Sequence, residues 1–305
     1  MEKVILKDVI NNYINYVSLY VKPTTRLNID RNIKKHILPY LNKNIYEINN
    51  HDIIQWQNMI KKLGYSNSFN NNVYCILQDL LNYLHLNYKT DKIIINRKVL
   101  KSYKIVKKEK EIWNIREFKK FINVIDNYMY KILFITLFKT GLRKGELLAL
   151  TFNDIDKYSI NVNKTITKEF FNGKRLIMNP KTKNSERNIQ IDFILYHQIM
   201  NLKKIYIKKY GSFKNDYFIF GGIKPIATTT LDRYKNKYCD QAHVKRIGIH
   251  AIRHSHATLL YNHNVDIKTI QHRLGHSNIN TTLNIYIHRD QKNEKRVIKT
   301  LFQIF

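Results

Sequence analysis

The chain has 305 residues, room for about two domains, and its 44% hydrophobic and 25% charged residues exclude a disordered or fibrous protein. With 53 Lys and Arg against 23 Asp and Glu, the formal net charge is +30. Such a chain repels itself unless a polyanion neutralises it, so nucleic acid is the expected partner and a membrane surface the bland alternative. Residues 1–105 hold 16 Lys and Arg against 7 Asp and Glu, so both halves are basic, as suits a protein that surrounds its nucleic acid. Cys75 and Cys239 lie too far apart for a zinc cluster or a disulfide framework. The charged N-terminus lacks the apolar core of a signal peptide, and the longest apolar stretch, Ile132–Phe138, is too short to span a bilayer. A soluble protein of a reducing cytoplasm is expected, with no membrane partner.

In chain order, Leu6, Val9, Ile10, Tyr13, Ile14 and Val17 recur at helical spacing. Pro23-Thr24-Thr25 restarts the chain, with Thr24 or Thr25 as N-cap, and the next helix carries Leu27, Ile33 and Ile37 and ends near Pro39. Asn50 caps a third helix that Gly64 ends, and Ser66 or Asn67 opens a fourth running through Leu84. Four short helices make an all-α domain. Residues 88–111 break this pattern: a β-prone run, Ile93-Ile94-Ile95, leads into Arg97, Lys98, Lys101, Lys104, Lys107, Lys108 and Lys110. A solvated linker and a segment that follows a DNA backbone are both open readings of these cations. Asn114 and Glu117 form a capping box that starts a second domain. Helices are expected over 115–126, 128–140 and 144–149, then a small antiparallel sheet over 151–191 turning at Asn172-Gly173. Helices return over 192–209, 228–242, 250–262, 266–274 and 279–288, before a basic tail with an apolar end.

Three blocks carry chemistry. In Thr140-Gly141-Leu142-Arg143-Lys144-Gly145-Glu146, the glycine ends one helix and sets Arg143 at the mouth of the next, within reach of a phosphate. In His250-Ala251-Ile252-Arg253, the i and i+3 positions share a helix face. In Leu274-Gly275-His276, an imidazole follows a helix-ending glycine, and Tyr286 comes ten residues later. Taken singly, each has a plainer reading: a surface arginine, a structural histidine, one tyrosine among 21.

Together, in this order and spacing, these blocks resemble the tyrosine recombinases of the phage-integrase type. Pro180-Lys181-Thr182-Lys183-Asn184-Ser185-Glu186-Arg187 resembles the strand-turn that carries the family's lysine, and Ile37-Leu38-Pro39 with Ile48 and Asp52 looks like its core-binding domain. The resemblance implies a mainly α fold with a small antiparallel β-sheet: a helical core DNA-binding domain over 1–87, a basic linker over 88–111 and a catalytic domain over 112–290. For a tail over 291–305 two readings are open: it folds back on its own domain or, as the resemblance implies, docks on a neighbouring protomer. It implies that Tyr286 attacks a phosphodiester to give a 3′-phosphotyrosine, that Arg143 and Arg253 clamp the non-bridging oxygens and that His276 adds a hydrogen bond. His250 assists proton transfer and Lys181 protonates the leaving oxygen. Lys183, and less well Lys174, are the other candidates for that acid. Neither metal nor ATP is implied.

Double-stranded DNA with inverted half-sites, a homotetramer on that DNA, and an excisionase or host DNA-bending protein are the implied partners. Lys98, Lys101, Lys104, Lys107 and Lys108 are the linker residues expected on the backbone. Integration or excision of a phage or mobile element is the favoured role. Chromosome-dimer resolution, inversion, a type IB topoisomerase and a non-catalytic DNA-binding protein are the alternatives. Glu146 is expected to orient a basic neighbour or cap a helix, His254 to support Arg253, and Tyr261 to lie in the core. His254 and His256 lack the carboxylate or Cys partners of a zinc site.

Overall fold

In the computed structural model, which describes residues 3–96, 111–171, 174–178 and 186–276, the chain divides into two units, Met1–Lys108 and Glu109–Phe305. No helix among the described residues is long and apolar enough to cross a membrane.

The first unit is helical. The apolar stripe of α1 (Leu6–Ser18) is wholly buried. The next helix, α2 (Pro23–Asn32), starts one step earlier than its threonines indicate. Lys22 takes the extended N-cap place and Pro23 the first helical position, where its fixed φ and missing N–H cost nothing. Nor does Pro39 end the segment. A π-turn over Ile33–Ile37 runs into α3 (Leu38–Leu41), a wider turn that seats a proline without the clash it makes in a regular helix. Within this turn the His36 carbonyl accepts a 2.7 Å hydrogen bond from the buried Trp56 indole. Trp56 belongs to α4 (Asn50–Lys62), which is capped by Asn49 with Asp52, one residue before the expected cap. Ser66 caps α5 (Asn67–Tyr88), a 22-residue helix rather than a short one.

The run Ile93–Ile95 forms no strand. Ile93 and Ile95 are buried in the helical core and Ile94 is exposed, so the strand alternation survives without a ladder. Side chains take the place of a neighbouring strand. Gln78 accepts from the Ile95 N–H and donates to the Ile93 carbonyl, and Tyr74 and Gln57 donate to the carbonyls of Ile95 and Asn96. These bonds answer the rule that buried backbone groups find partners.

In the second unit, α6 (Ile115–Asn123), with its Asn114–Glu117 capping box, precedes α7 (Tyr128–Thr140) and α8 (Lys144–Ala149). Strands β1 (Ile155–Asp156), β2 (Ser159–Val162) and β5 (Arg187–Gln190) form one antiparallel sheet in the order β1-β2-β5. β3 (Thr165–Phe171) and β4 (Lys174–Met178) form a separate antiparallel pair, so the described residues hold two small sheets where one was expected. The turn residues Asn172 and Gly173 lie outside the described residues, though Phe171 pairs with Lys174 on either side of them. Four further helices follow: α9 (Phe193–Tyr210), α10 (Thr228–Gln241), α11 (Ile249–Asn262) and α12 (Ile267–Leu274). The core collects Leu133, Phe134, Leu137, Leu147, Ile160, Leu195, Leu231 and Ile252, each at most 1% exposed. Mostly apolar, α7 runs through this core and ends at the site.

Candidate active site

The site is built where α7, α8, β5, α11 and α12 end or begin. Gly141 closes α7 in the left-handed conformation, at φ +65°. Its carbonyl accepts from Arg253 Nη1 at 2.7 Å. Two residues on, Arg143 is the N-cap of α8, and Glu146 returns to it: the Arg143 N–H donates to Glu146 Oε2 at 2.9 Å and Nη1 to Oε1 at 2.6 Å. Glu146 is 4% exposed and thus both caps the helix and orients a basic neighbour.

The C-terminus of α12 organises the cations. A helix end leaves carbonyls without intrahelical partners and carries partial negative charge. Here three successive carbonyls each take a guanidinium. Arg273 O accepts from Arg187 Nε at 2.7 Å, Leu274 O from Arg253 Nη2 at 2.6 Å and Gly275 O from Arg143 Nη2 at 2.7 Å. Gly275, at φ +65°, makes the turn that aims them, and a Cβ on it would sit 3.0 Å from Arg187 Nη1. His276 follows at 9% exposure, its N–H donating to Gln271 O and its carbonyl accepting from the Gln271 amide.

Arg253, on α11, is 1% exposed. Burial, and then repulsion from Arg143, bring its guanidinium down to about 9, still charged at neutral pH. His250 stands exposed in the first turn of α11, its ring 4.7 Å from that of the buried His254. Burial, and then the charges of Arg253 and Arg143, push the His276 imidazole down to about 3, so it is a neutral donor at pH 7. Burial alone would raise the Glu146 carboxyl. Hydrogen bonds and charge from Arg187, with Arg143 behind them, instead bring it down to about 2. Glu146 is therefore ionised, hydrogen-bonded to Arg143 and Arg187 and close enough to Arg253 for its charge to be felt there.

The structure thus brings together Arg143, Arg253 and His276, with His250 at the start of the same helix as Arg253. Lys181 and Tyr286 lie outside the described residues, as do Lys183, Lys98, Lys101, Lys104, Lys107, Lys108, the helix expected over 279–288 and the tail. Tyr261 is half-buried beside a small cluster of Ala257, Ile270 and Leu274, apart from the main core. Arg187 was missed as a site residue. Its signal was present: in Arg187-Asn188-Ile189-Gln190-Ile191 it alternates in phase with two buried isoleucines, and a cation in core phase must be paired. Trp113 and Lys235 bond to α11 and to the segment before it. The Trp113 N–H donates to Ser255 Oγ and its indole to Lys245 O, both at 2.9 Å. Buried Lys235 donates to Ile247 O just before α11.

The buried His256 ring packs under Gly141, where a Cβ would lie 2.6 Å from its Cδ2. Burial and then the Arg273 charge push it down to about 3, far below its ordinary 6.5. The unfolded chain therefore takes up this proton as pH falls through 6.5, and the folded chain does not until about 3. Its contribution is complete above pH 6.5 and declines below it, at about 1.4 kcal/mol per pH unit. We expect His256→Gln to flatten the loss of stability between pH 7 and 5 by roughly 2 kcal/mol, read from urea midpoints. Parallel curves for the two proteins would overturn this.

The family profile described as "Phage integrase family" matches residues 111–293, and one described as "Phage integrase, N-terminal SAM-like domain" matches residues 5–60. The chain belongs to the phage integrase family. It is 30% identical to the ICEBs1 integrase of Bacillus subtilis (strain 168), over 96% of this chain and 81% of that one. It is 36% identical to a "Tyrosine recombinase XerC-like" protein of Caldanaerobacter subterraneus over 66% of this chain and 56% of that one. In fold, this phage-integrase-family chain resembles the Tn1549 transposon integrase solved with transposon right end DNA. The TM-score is 0.75 at 22% identity, covering 98% and 99% of the two chains. It also resembles lambda integrase solved as a dimer on a core site, at a TM-score of 0.65 and 17% identity. The fold class read from the sequence, mainly α with small antiparallel sheets, is the one found.

Proposed function

We propose that this chain is the integrase of a mobile element, cutting and rejoining DNA at a specific site through a 3′-phosphotyrosine at Tyr286. One observation supports this reading most. Arg143 and Arg253 are fixed by adjacent carbonyls at the end of α12, beside neutral His276, in a cluster whose single carboxylate leaves positive charge over. A phosphodiester supplies the missing anion. Its two non-bridging oxygens would meet the two guanidiniums, with His276 adding a neutral hydrogen bond. The Tyr286 oxygen attacks phosphorus, the bond to the 5′-oxygen breaks, and Lys181 delivers the proton that oxygen needs, with His250 assisting transfer from Tyr286. The new phosphodiester keeps the bond energy, so reversal needs no ATP. A mobile-element role is supported by the likeness to the ICEBs1 integrase and the Tn1549 transposon integrase.

Inverted half-sites bound by two protomers, a tetramer for strand exchange and the tail 291–305 docked on a neighbour complete the reading. An excisionase or DNA-bending host protein would set direction. The linker cations Lys98, Lys101, Lys104, Lys107 and Lys108 would follow the backbone between the domains.

The test is covalent trapping on a nicked suicide substrate carrying the element's end. The expected product is a protease-sensitive adduct with a free 5′-hydroxyl, formed without ATP. Bound DNA with no adduct, or an adduct that leaves a free 3′-hydroxyl, would refute the mechanism.

A further inference from the structure

Arg187 takes no part in that scheme, yet it lies deeper than Arg143. Its side chain is 1% exposed, against 36% for that of Arg143. Its Nε, Nη1 and Nη2 already donate to the Arg273 carbonyl and to both oxygens of Glu146. It projects from the first position of β5, opposite Val162 of β2, on the buried face of the sheet. There it meets Glu146 through two nitrogens, Nη2 to Oε2 at 2.9 Å and Nη1 to Oε1 at 3.3 Å. Glu146 thus serves two arginines, one on each side. Oε1 accepts from Arg143 Nη1 and Arg187 Nη1, and Oε2 from the Arg143 N–H and Arg187 Nη2.

The charges decide what this arrangement does. Were Arg143 the sole cation on Glu146, the pair would be neutral, and Arg143 would have little charge left for a phosphate. With Arg187 on the inner side, the carboxylate is already balanced and can steer Arg143 without cancelling it. We propose that Arg187 is a positioning residue: it neutralises Glu146 from within the protein, so that Arg143 is oriented by this carboxylate yet keeps its positive charge for the scissile phosphate. Through its Nε it also fixes the Arg273 carbonyl, and with it the helix end that carries Arg143 and Arg253.

This inference rests on the reaction proposed above, and the experiment separates the two. Single-turnover cleavage of the nicked substrate is measured at saturating DNA for wild type, Arg187→Met, Arg187→Lys and Arg187→Met/Glu146→Gln, with DNA binding and thermal melting alongside. Arg187→Met is expected to cleave about 100-fold more slowly, the scale of a misplaced catalytic group, with DNA binding nearly unchanged. Removing the Glu146 charge as well is expected to recover about tenfold of that loss, a coupling between contacting residues. A merely structural role predicts a double variant as slow as the single one, or slower. Should Arg187→Met fail to melt cooperatively, Arg187→Lys carries the test on a substrate with an uncharged methylphosphonate at the scissile position. Its deficit relative to wild type should shrink there, because less charge has to be met. An unchanged ratio overturns the proposal, as does an Arg187→Met protein that cleaves at the wild-type rate. No adduct from wild type on bound DNA overturns the reaction scheme and this inference with it.

Discussion

Tyr286→Phe is expected to bind its DNA as wild type does and to form no covalent adduct, a loss of roughly 10⁴-fold or more, as for enzymes stripped of their nucleophile. The substitution removes one hydroxyl and leaves the arginine cluster intact, so binding and cleavage should separate cleanly. The chain has 21 tyrosines, and three buried ones of the second unit are poorly suited to take over. Burial raises the Tyr238 hydroxyl well above its ordinary 10, and that hydroxyl is held by Asp126 at 2.7 Å. Burial also raises Tyr130 and Tyr206, and Tyr206 donates to the Ile219 carbonyl. Each is therefore harder to ionise than a free phenol. Tyr261→Phe, on α11 but turned to a small apolar cluster, is the matched control and should cleave normally. Adduct formation by Tyr286→Phe would move the nucleophile elsewhere and undo the assignment.

The second large effect is at Arg253. Arg253→Met should cut single-turnover cleavage by about 10³-fold, the upper range for losing one donor to a developing charge. DNA affinity should become less salt-dependent by about one phosphate contact. Folding should survive. The carbonyls of Gly141 and Leu274 lose their donors, at a cost of about 1–3 kcal/mol each if buried. Against this, a buried cation repelled by Arg143 is removed. Arg253→Lys should be nearly as slow, because one ammonium cannot bond two diverging carbonyls and a phosphate as a planar fork can. Cleavage within tenfold of wild type in Arg253→Met would show that this guanidinium only holds the fold together.

The helices and two of their four expected caps were legible in the sequence because their signals are local. Asn114 with Glu117 and Ser66 act as their types dictate. The misread positions are those where another local rule took precedence. Pro23 claimed the first helical place from the threonines, and a π-turn carried the chain through Pro39. The isoleucine run at 93–95 was read as β-prone because its alternation is real, but no strand lies beside it and Gln78 bonds its backbone instead. In the site, Arg143 and Arg253 could be named from spacing. The anchoring of Arg143 on the end of α12 and of Arg253 on the end of α7 could not, because each joins residues more than 100 positions apart with no pattern between them. Arg187 was readable in principle from its phase in β5, though its partner, Glu146, is 41 residues away.

Holding three guanidiniums on backbone carbonyls, two of them on Glu146 as well, also shapes how such a protein can diverge. The bonds to Arg143, Arg187 and Arg253 depend on α12 ending at a left-handed Gly275 and not on which side chains the helix displays. Exposed positions such as Lys268, Thr269 and His272 are therefore free to drift without retuning the chemistry beneath them. A lineage can thus change this outer surface while inheriting the arginine cluster beneath it unchanged.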